Sequence, residues 1–231
     1  MVDALLVQNP TGRVSVRSSF YKPGNPQRPM IPVEYAVAAY CFGHSMIRAE
    51  YELRDVPDSG GQSLTRPIFS PDGQDLRGSR PLPAELVLDW NYFFDVPGLD
   101  SPDDRNQARQ IDTQVARPLH DLPPTVVLHT AAAVLALAER NLLRGERLGN
   151  ADLGLTEAGW GGKAPLWFYI LKEAELGGGR RLGPVGGRIV AEVILDLLGT
   201  DRSSYFNARS RFSPVVANCR IGDLLRLAGA A

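Results

Sequence analysis

The chain has 231 residues, of which 44% are apolar and 22% charged, and its formal net charge is −1. This length and composition predict one globular domain, and a charge so close to zero excludes a surface that binds nucleic acid or anionic membrane throughout. No window approaches the ~18 apolar residues of a membrane span, and no secretory leader is indicated. Two cysteines, Cys41 and Cys219, are too few for a disulfide framework. Reduced thiols and a cytoplasmic location are therefore expected.

The first 30 residues are rich in proline and glycine and predict an irregular N-terminal arm. The run Arg13–Phe20 favours β-structure, so the arm has room for one small hairpin. The arm is not expected to form a domain of its own.

Ile31–Leu53 predicts a long helix, with Pro32 in its first turn. Apolar and aromatic residues recur there at steps of three and four, so one face should meet the core; these are Val33, Val37, Tyr40, His44, Ile47 and Tyr51. Gly43 removes a side chain beside His44, which lets a flat, bulky group approach the backbone. His44 is either a hydrogen-bonded core residue, the commoner role, or a ligand of such a group.

The rest of the chain predicts a mainly α protein with long irregular loops. One loop covers Arg54–Leu82 and contains a short strand within Ser63–Phe69, and residues 101–124 form a surface helix or a docking strap. The other predicted elements are an aromatic helix from Pro83 to Asp95, long helices at Thr125–Gly149, Pro165–Gly177 and Pro184–Gly199, and a short one at Asp223–Leu227. No internal repeat is found, and residues 1–231 are expected to form a single domain.

The Thr125–Gly149 helix carries polar residues on a face that should be buried. Asn141 is a poor residue for a helix interior, yet it stands between Ala138 and Leu142 on that face. A buried amide needs a partner, and Arg144 projects from nearly the same side one turn later. Either Asn141 and Arg144 lie on a solvent-exposed face, or they contact a bound group, which offers an N–H to accept and an anion to bind.

Four segments resemble, in the right order, the animal-type haem peroxidases, the superfamily of myeloperoxidase and cyclooxygenase. AAYCFGHSMIR (38–48) is similar to their proximal-histidine helix, and RNLLRGERLG (140–149) to their later asparagine and arginine motif. PLWFYILKEAE (165–175) and LGPVGGRIVAEVILDLLG (182–199) look like C-terminal helices of bacterial members. The resemblance covers about Phe20 to Leu225 and implies a helical, haem peroxidase-like domain that contains only the proximal-histidine half.

The resemblance implies a role for each matching residue. His44 would be the axial ligand of haem iron, with Gly43 giving the porphyrin room. Asn141 would accept the other ring N–H of His44 and so tune the iron, which is its part in catalysis. Arg144 would bind a haem propionate, since a guanidinium suits a carboxylate. The cofactor would be non-covalent haem b, and the reaction the oxidation of a small-molecule electron donor by hydrogen peroxide.

The chain departs from the family pattern at two places. Cys41 stands where the family usually has a second propionate-binding arginine, and a thiolate-ligand role for it is disfavoured because it lies one turn from His44. The family's distal histidine and arginine come from sequence upstream of the proximal helix, and the 43 residues before His44 contain no histidine. His120 and His129 are poor replacements, since the first lies in a proline-rich turn and the second is turned away from Asn141.

The expected function is therefore that of a haem peroxidase-family enzyme which needs a distal-half chain or a homo-oligomer for turnover. The alternative is a haem- or partner-binding protein without catalysis. A third reading has His44 as a plain core residue in a helical protein with no cofactor.

Overall fold

The structure of the protein is a computed structural model. It describes residues 6–8, 14–18, 20–21, 24–25, 28–76, 78–81, 83–99, 106–114, 147–155, 164–204, 206–207 and 220–229. The chain divides into two compact units, of which unit 1 comprises Met1–Met46 with Gln110–Arg211 and unit 2 comprises Ile47–Arg109 with Phe212–Ala231. One domain over residues 1–231 stays a prediction. None of the helices in these ranges is long and apolar enough to cross a membrane.

Unit 1 begins with two short strands, β1 (Leu6–Gln8) and β2 (Val14–Val16), which pair antiparallel with Leu6 opposite Val16. This confirms the hairpin in the arm. A continuous helical stretch follows, here named the His44 segment: a π turn at Glu34–Ala38, a 3-10 turn at Ala39–Cys41 and α1 at Phe42–Ser45. The two long helices are α2 (Leu166–Leu176) and α3 (Pro184–Thr200), both as predicted.

Unit 2 is built on the antiparallel hairpin of β3 (Glu50–Asp55) and β4 (Ser63–Pro67), with Glu50 opposite Pro67 and an irregular register between Glu52 and Arg54. The predicted strand within Ser63–Phe69 is confirmed. Two 3-10 turns, Ala84–Leu86 and Trp90–Tyr92, and the short helix α4 (Ile221–Leu227) complete its described elements.

The prediction of a mainly α, haem peroxidase-like helical domain is wrong. Among the described elements only α2 and α3, of 11 and 17 residues, are longer than two turns. The other described elements are two antiparallel hairpins, short π and 3-10 turns and the short helices α1 and α4. The aromatic stretch after Pro83 is not a helix, because Val87 is extended and the Asp89 carboxylate accepts the backbone N–H of Asn91 at 2.9 Å.

The predicted Ile31–Leu53 helix ends at Ser45, and its last residues form β3. Leu53 is fully buried there, while its neighbours Glu52 and Arg54 are only partly covered. The alternation of buried and partly covered residues is typical of a strand, and the strand pairs with β4, whose partner residues lie 8 to 17 positions later in the chain. The helix prediction used only the three- and four-residue spacing of apolar residues. That spacing contains no information about pairing with another strand.

The connection between α2 and α3 is fixed by one buried carboxylate, that of Glu173. It accepts the backbone N–H groups of Val185 at 3.0 Å and of Gly186 at 3.2 Å, in the first turn of α3. A negative charge at this position satisfies donors that have no partner within the helix and suits the helix dipole. A Cβ on Gly183 would lie 2.1 Å from Glu173 Cγ, so only glycine fits beside the carboxylate.

Candidate functional site

The His44 segment is held to the core of unit 1 by the residues on either side of its histidine. Ala38 and Ala39 are buried in the larger apolar cluster with α2 and α3 residues such as Ile170 and Ile189. Phe42 and Met46 pack on the smaller cluster; its buried members are Ile111, Leu171 and Ala174. The backbone before and after His44 is therefore held in place by these apolar contacts.

The stripe that was predicted to face the core does not face it. Val33 and Tyr40 are 54% and 53% exposed, whereas Ala39, Cys41 and Ser45, which lie between the stripe positions, are buried. For Tyr40 the physical reason is the preceding π turn, which takes more residues per turn than an α-helix and so shifts the phase of the side chains after it; Val33 lies before that turn, at the exposed start of the segment. His44 itself is half-buried.

The His44 ring has one buried nitrogen with an unusual environment. Nδ1 is buried, and no hydrogen-bond partner for it lies within the described ranges. The ring packs edge-on against Tyr40, with 6.2 Å between the centroids and 86° between the planes. A buried polar nitrogen ordinarily has a partner, so Nδ1 marks a place where a hydrogen-bonding group is needed.

The backbone beside His44 is open at Gly43. A Cβ built on Gly43 would meet no heavy atom of the described residues within 4 Å, outside the helix's own backbone. The glycine is therefore not required by packing against this part of the chain. The open space is consistent with the sequence expectation that Gly43 leaves room for a flat group.

Cys41 is a buried free thiol that faces into unit 1. Its Sγ donates to the carbonyl oxygen of Val37 at 3.0 Å, and burial raises its pKa. A protonated, inward thiol neither replaces the charge of an arginine nor ligates a metal.

Asn141 and Arg144 lie outside the described residues, as do His120 and His129. The roles of Asn141 and Arg144 therefore stay predictions. Within the described ranges no group of three or more histidine, cysteine, aspartate or glutamate side chains is placed to bind a metal ion. Haem iron takes only one or two protein ligands, so this result does not test His44.

A pair of carboxylates on α3 was missed by the sequence analysis. Glu192 is fully buried and accepts the backbone N–H groups of Phe20 at 2.5 Å and Tyr21 at 3.0 Å, together with Nε of Arg188. Asp196, one turn later, accepts the hydroxyl of Ser18. The only sequence signal was two acids four residues apart in an apolar helix. Their role is to bind the N-terminal arm to α3.

The pKa of Asp196 is raised, first by burial and then by the charge of Glu192, against the lowering effect of Ser18. The native state therefore holds this proton more tightly than the unfolded chain. The stabilisation that comes from this bound proton is complete below pH 3.8, the ordinary pKa of an aspartate. It is lost as the pH rises through the pKa of Asp196 in the folded state. We expect Asp196→Asn to raise the free energy of unfolding at pH 7, with no gain at pH 3. Urea unfolding at both pH values measures this.

Asp201 is the matched control for that measurement, because hydrogen bonds from the hydroxyl and backbone N–H of Ser203 lower its pKa. The Asp201 carboxylate therefore depends on pH in the opposite way. The stability that it contributes is present above pH 3.8, the ordinary aspartate pKa, and is lost as the pH falls through the folded pKa. Asp201→Asn should therefore lower stability at pH 7. An Asp196→Asn variant that is also less stable at pH 7 would contradict the argument.

No protein-family model, curated protein or solved structure matches this chain. The resemblance to the haem peroxidases thus depends on the four sequence segments alone.

Proposed function

We propose that this protein binds haem b non-covalently through His44 and belongs functionally with the peroxidases. The observation that carries the proposal is the buried Nδ1 of His44, which has no hydrogen-bond partner among the described residues. A histidine that ligates iron through one ring nitrogen needs an acceptor at the other, to fix its tautomer and the plane of its ring. Asn141 is the residue to which we assign that acceptor, through its side-chain oxygen.

The open backbone at Gly43 supports the same assignment, because a porphyrin face needs a side without a projecting side chain. Arg144 is assigned to a propionate, where its planar fork makes two charge-assisted hydrogen bonds. Cys41 has no part in this site, since its thiol is directed to Val37. The chain therefore has one arginine for the propionates where the family usually has two, and we expect the haem to be retained less tightly.

A histidine-ligated haem supplies peroxide-dependent one-electron oxidation of a small-molecule donor. The contribution of this chain is to bind and orient the group: His44 is the iron ligand, Asn141 the positioning residue for its ring, and Arg144 the propionate anchor. A base that accepts the proton of peroxide is not among the residues that we assign. Turnover is accordingly proposed to need a distal-half chain or a second copy, in a cytoplasmic setting that keeps Cys41 reduced.

The ligand assignment is tested by titrating the protein with haemin. The wild-type chain should give the absorption and electron paramagnetic resonance spectra of histidine-ligated haem, and His44→Ala should abolish them. His120→Ala and His129→Ala are matched controls that remove the other two histidines, and both should keep the wild-type spectrum. An unchanged spectrum in His44→Ala would refute the proposal.

A second variant tests the positioning role. Asn141→Leu should weaken haem binding about 10- to 100-fold and shift the iron–histidine stretching frequency, because the hydrogen bond from Nδ1 is lost. A purely structural asparagine would change stability and leave that frequency unchanged. Comparison of peroxidase rates with free haemin then separates the two functional alternatives: no gain over haemin makes the protein a haem binder without catalysis.

A further inference from the structure

The helix α3 presents an apolar stripe on a face that the described part of the chain leaves accessible. Its residues follow one another at steps of four, three and four; they are Gly187, Ala191, Ile194 and Leu198. At about 100° per residue the four positions fall within roughly 60° around the helix axis. Ile194 and Leu198 are 42% and 41% exposed, and the stripe borders an open cleft of about 910 Å³. The spacing is that of a coiled-coil seam.

The stripe is complementary in shape to itself. Its small residues, Gly187 and Ala191, lie in the N-terminal half of α3, and its large residues, Ile194 and Leu198, lie in the C-terminal half. When two copies of α3 pack antiparallel about a two-fold axis, a single register sets Ala191 opposite the partner's Ile194 and Gly187 opposite the partner's Leu198. Each large side chain then enters the gap above a small one, which is knobs-into-holes packing.

The charges at the two ends of α3 are complementary in the same register. Arg181 precedes the helix, lines the cleft and makes no hydrogen bond or ion pair within the described ranges. Asp201 follows the helix, with an exposed carboxylate that Ser203 holds in place. Antiparallel packing brings Arg181 to the end of the partner's α3, near Asp201 and the carbonyl end of the helix dipole, where a cation is stabilised.

We propose that the accessible face of α3 is a self-association surface through which two copies of this chain form an antiparallel dimer. The stripe supplies the apolar contact, and Arg181 of each copy pairs with the partner's Asp201. One helix pair buries less than the roughly 1,600 Å² of a standard interface, so the dimer is weak, reversible and in the micromolar range of Kd. The inference does not depend on haem.

The full chain is examined by sedimentation velocity and light scattering over a series of concentrations. The wild type should pass from monomer to dimer, and Ile194→Asp should weaken the dimer at least tenfold, because it places a carboxylate in the seam. Leu176→Asp is the matched control, since Leu176 is 55% exposed but lies on α2, outside the stripe. Circular dichroism melting checks that each variant folds. A chain that stays monomeric at all concentrations, or equal effects of the two substitutions, overturns the proposal.

Charge reversal tests the register and needs no disruption of the stripe. Arg181→Glu and Asp201→Arg should each weaken the dimer, and the double variant Arg181→Glu with Asp201→Arg should restore it. Arg180→Glu, at an exposed arginine that does not line the cleft, should have little effect. A parallel pair would not bring the two reversed charges together. Failure of the double variant to recover dimerisation therefore overturns the antiparallel arrangement.

Discussion

Replacing Glu192 with alanine should lower the free energy of unfolding of unit 1 by about 3–5 kcal/mol. The carboxylate is fully buried, and three donors depend on it: the backbone N–H groups of Phe20 and Tyr21 and the guanidinium of Arg188. The variant leaves these donors without this acceptor, and the cost of a buried backbone N–H without a partner, as at Tyr21, is the largest part of the loss. Urea unfolding followed by circular dichroism measures the change.

Glu175→Ala is the matched control for Glu192→Ala. Glu175 also lies in a helix of unit 1, but its ion pair with Lys172, at 3.1 Å, is partly open to solvent, with the Glu175 side chain 37% exposed. Exposed pairs contribute at most about 1 kcal/mol, so the control should be close to the wild type. Similar losses in the two variants would mean that the burial of Glu192 has no energetic consequence.

A methyl group added at Gly222 should destabilise unit 2 by about 3 kcal/mol or more. In the first turn of α4, a Cβ on Gly222 would lie 1.8 Å from the carbonyl oxygen of Asp95 and 3.2 Å from Cα of Val96. Both neighbours are backbone atoms, so no side-chain rotation relieves the overlap. Alanine is favoured over glycine in a helix by about 1 kcal/mol, which is too little to offset this clash. Thermal and urea unfolding of Gly222→Ala measure the balance.

Gly78→Ala provides the comparison within unit 2. A Cβ at Gly78 would meet no described atom within 4 Å, and its backbone is not in the left-handed region. The change in stability should stay within about 0.5 kcal/mol. A Gly222→Ala variant as stable as Gly78→Ala would show that α4 does not pack on the backbone at Asp95.

The sequence predicted α2 and α3 well because their limits are local. A proline opens each one, Pro165 as the N-cap of α2 and Pro184 as the first residue of α3, and glycine follows α2 at its C-terminal cap. Proline and glycine fix or free the backbone whatever surrounds them, so their positions are readable without the fold. The strand at Ser63–Pro67 is similarly confined by its flanking turn residues.

The error at Ile31–Leu53 has the opposite origin. Tyr51 fits the helical spacing of the predicted stripe, yet it lies in a strand because β3 pairs with β4. The π turn at Glu34–Ala38 changes the phase of the helical residues after it, so that Tyr40 of the predicted core stripe is exposed and the intervening Ala39 and Cys41 are buried. Neither the partner strand nor the extra residue in the turn is encoded in the periodicity of the segment itself.

The sequence by itself determined which residue types are available for a site: His44 beside Gly43, with Asn141 and Arg144 later in the chain. Only the tertiary structure decided that Nδ1 of His44 is buried without a described partner and that Glu173 and Glu192 are buried acceptors. The physical reason is distance along the chain. Glu192 acquires its role from backbone groups 171 and 172 residues away, whereas helix limits and residue types are properties of neighbouring positions.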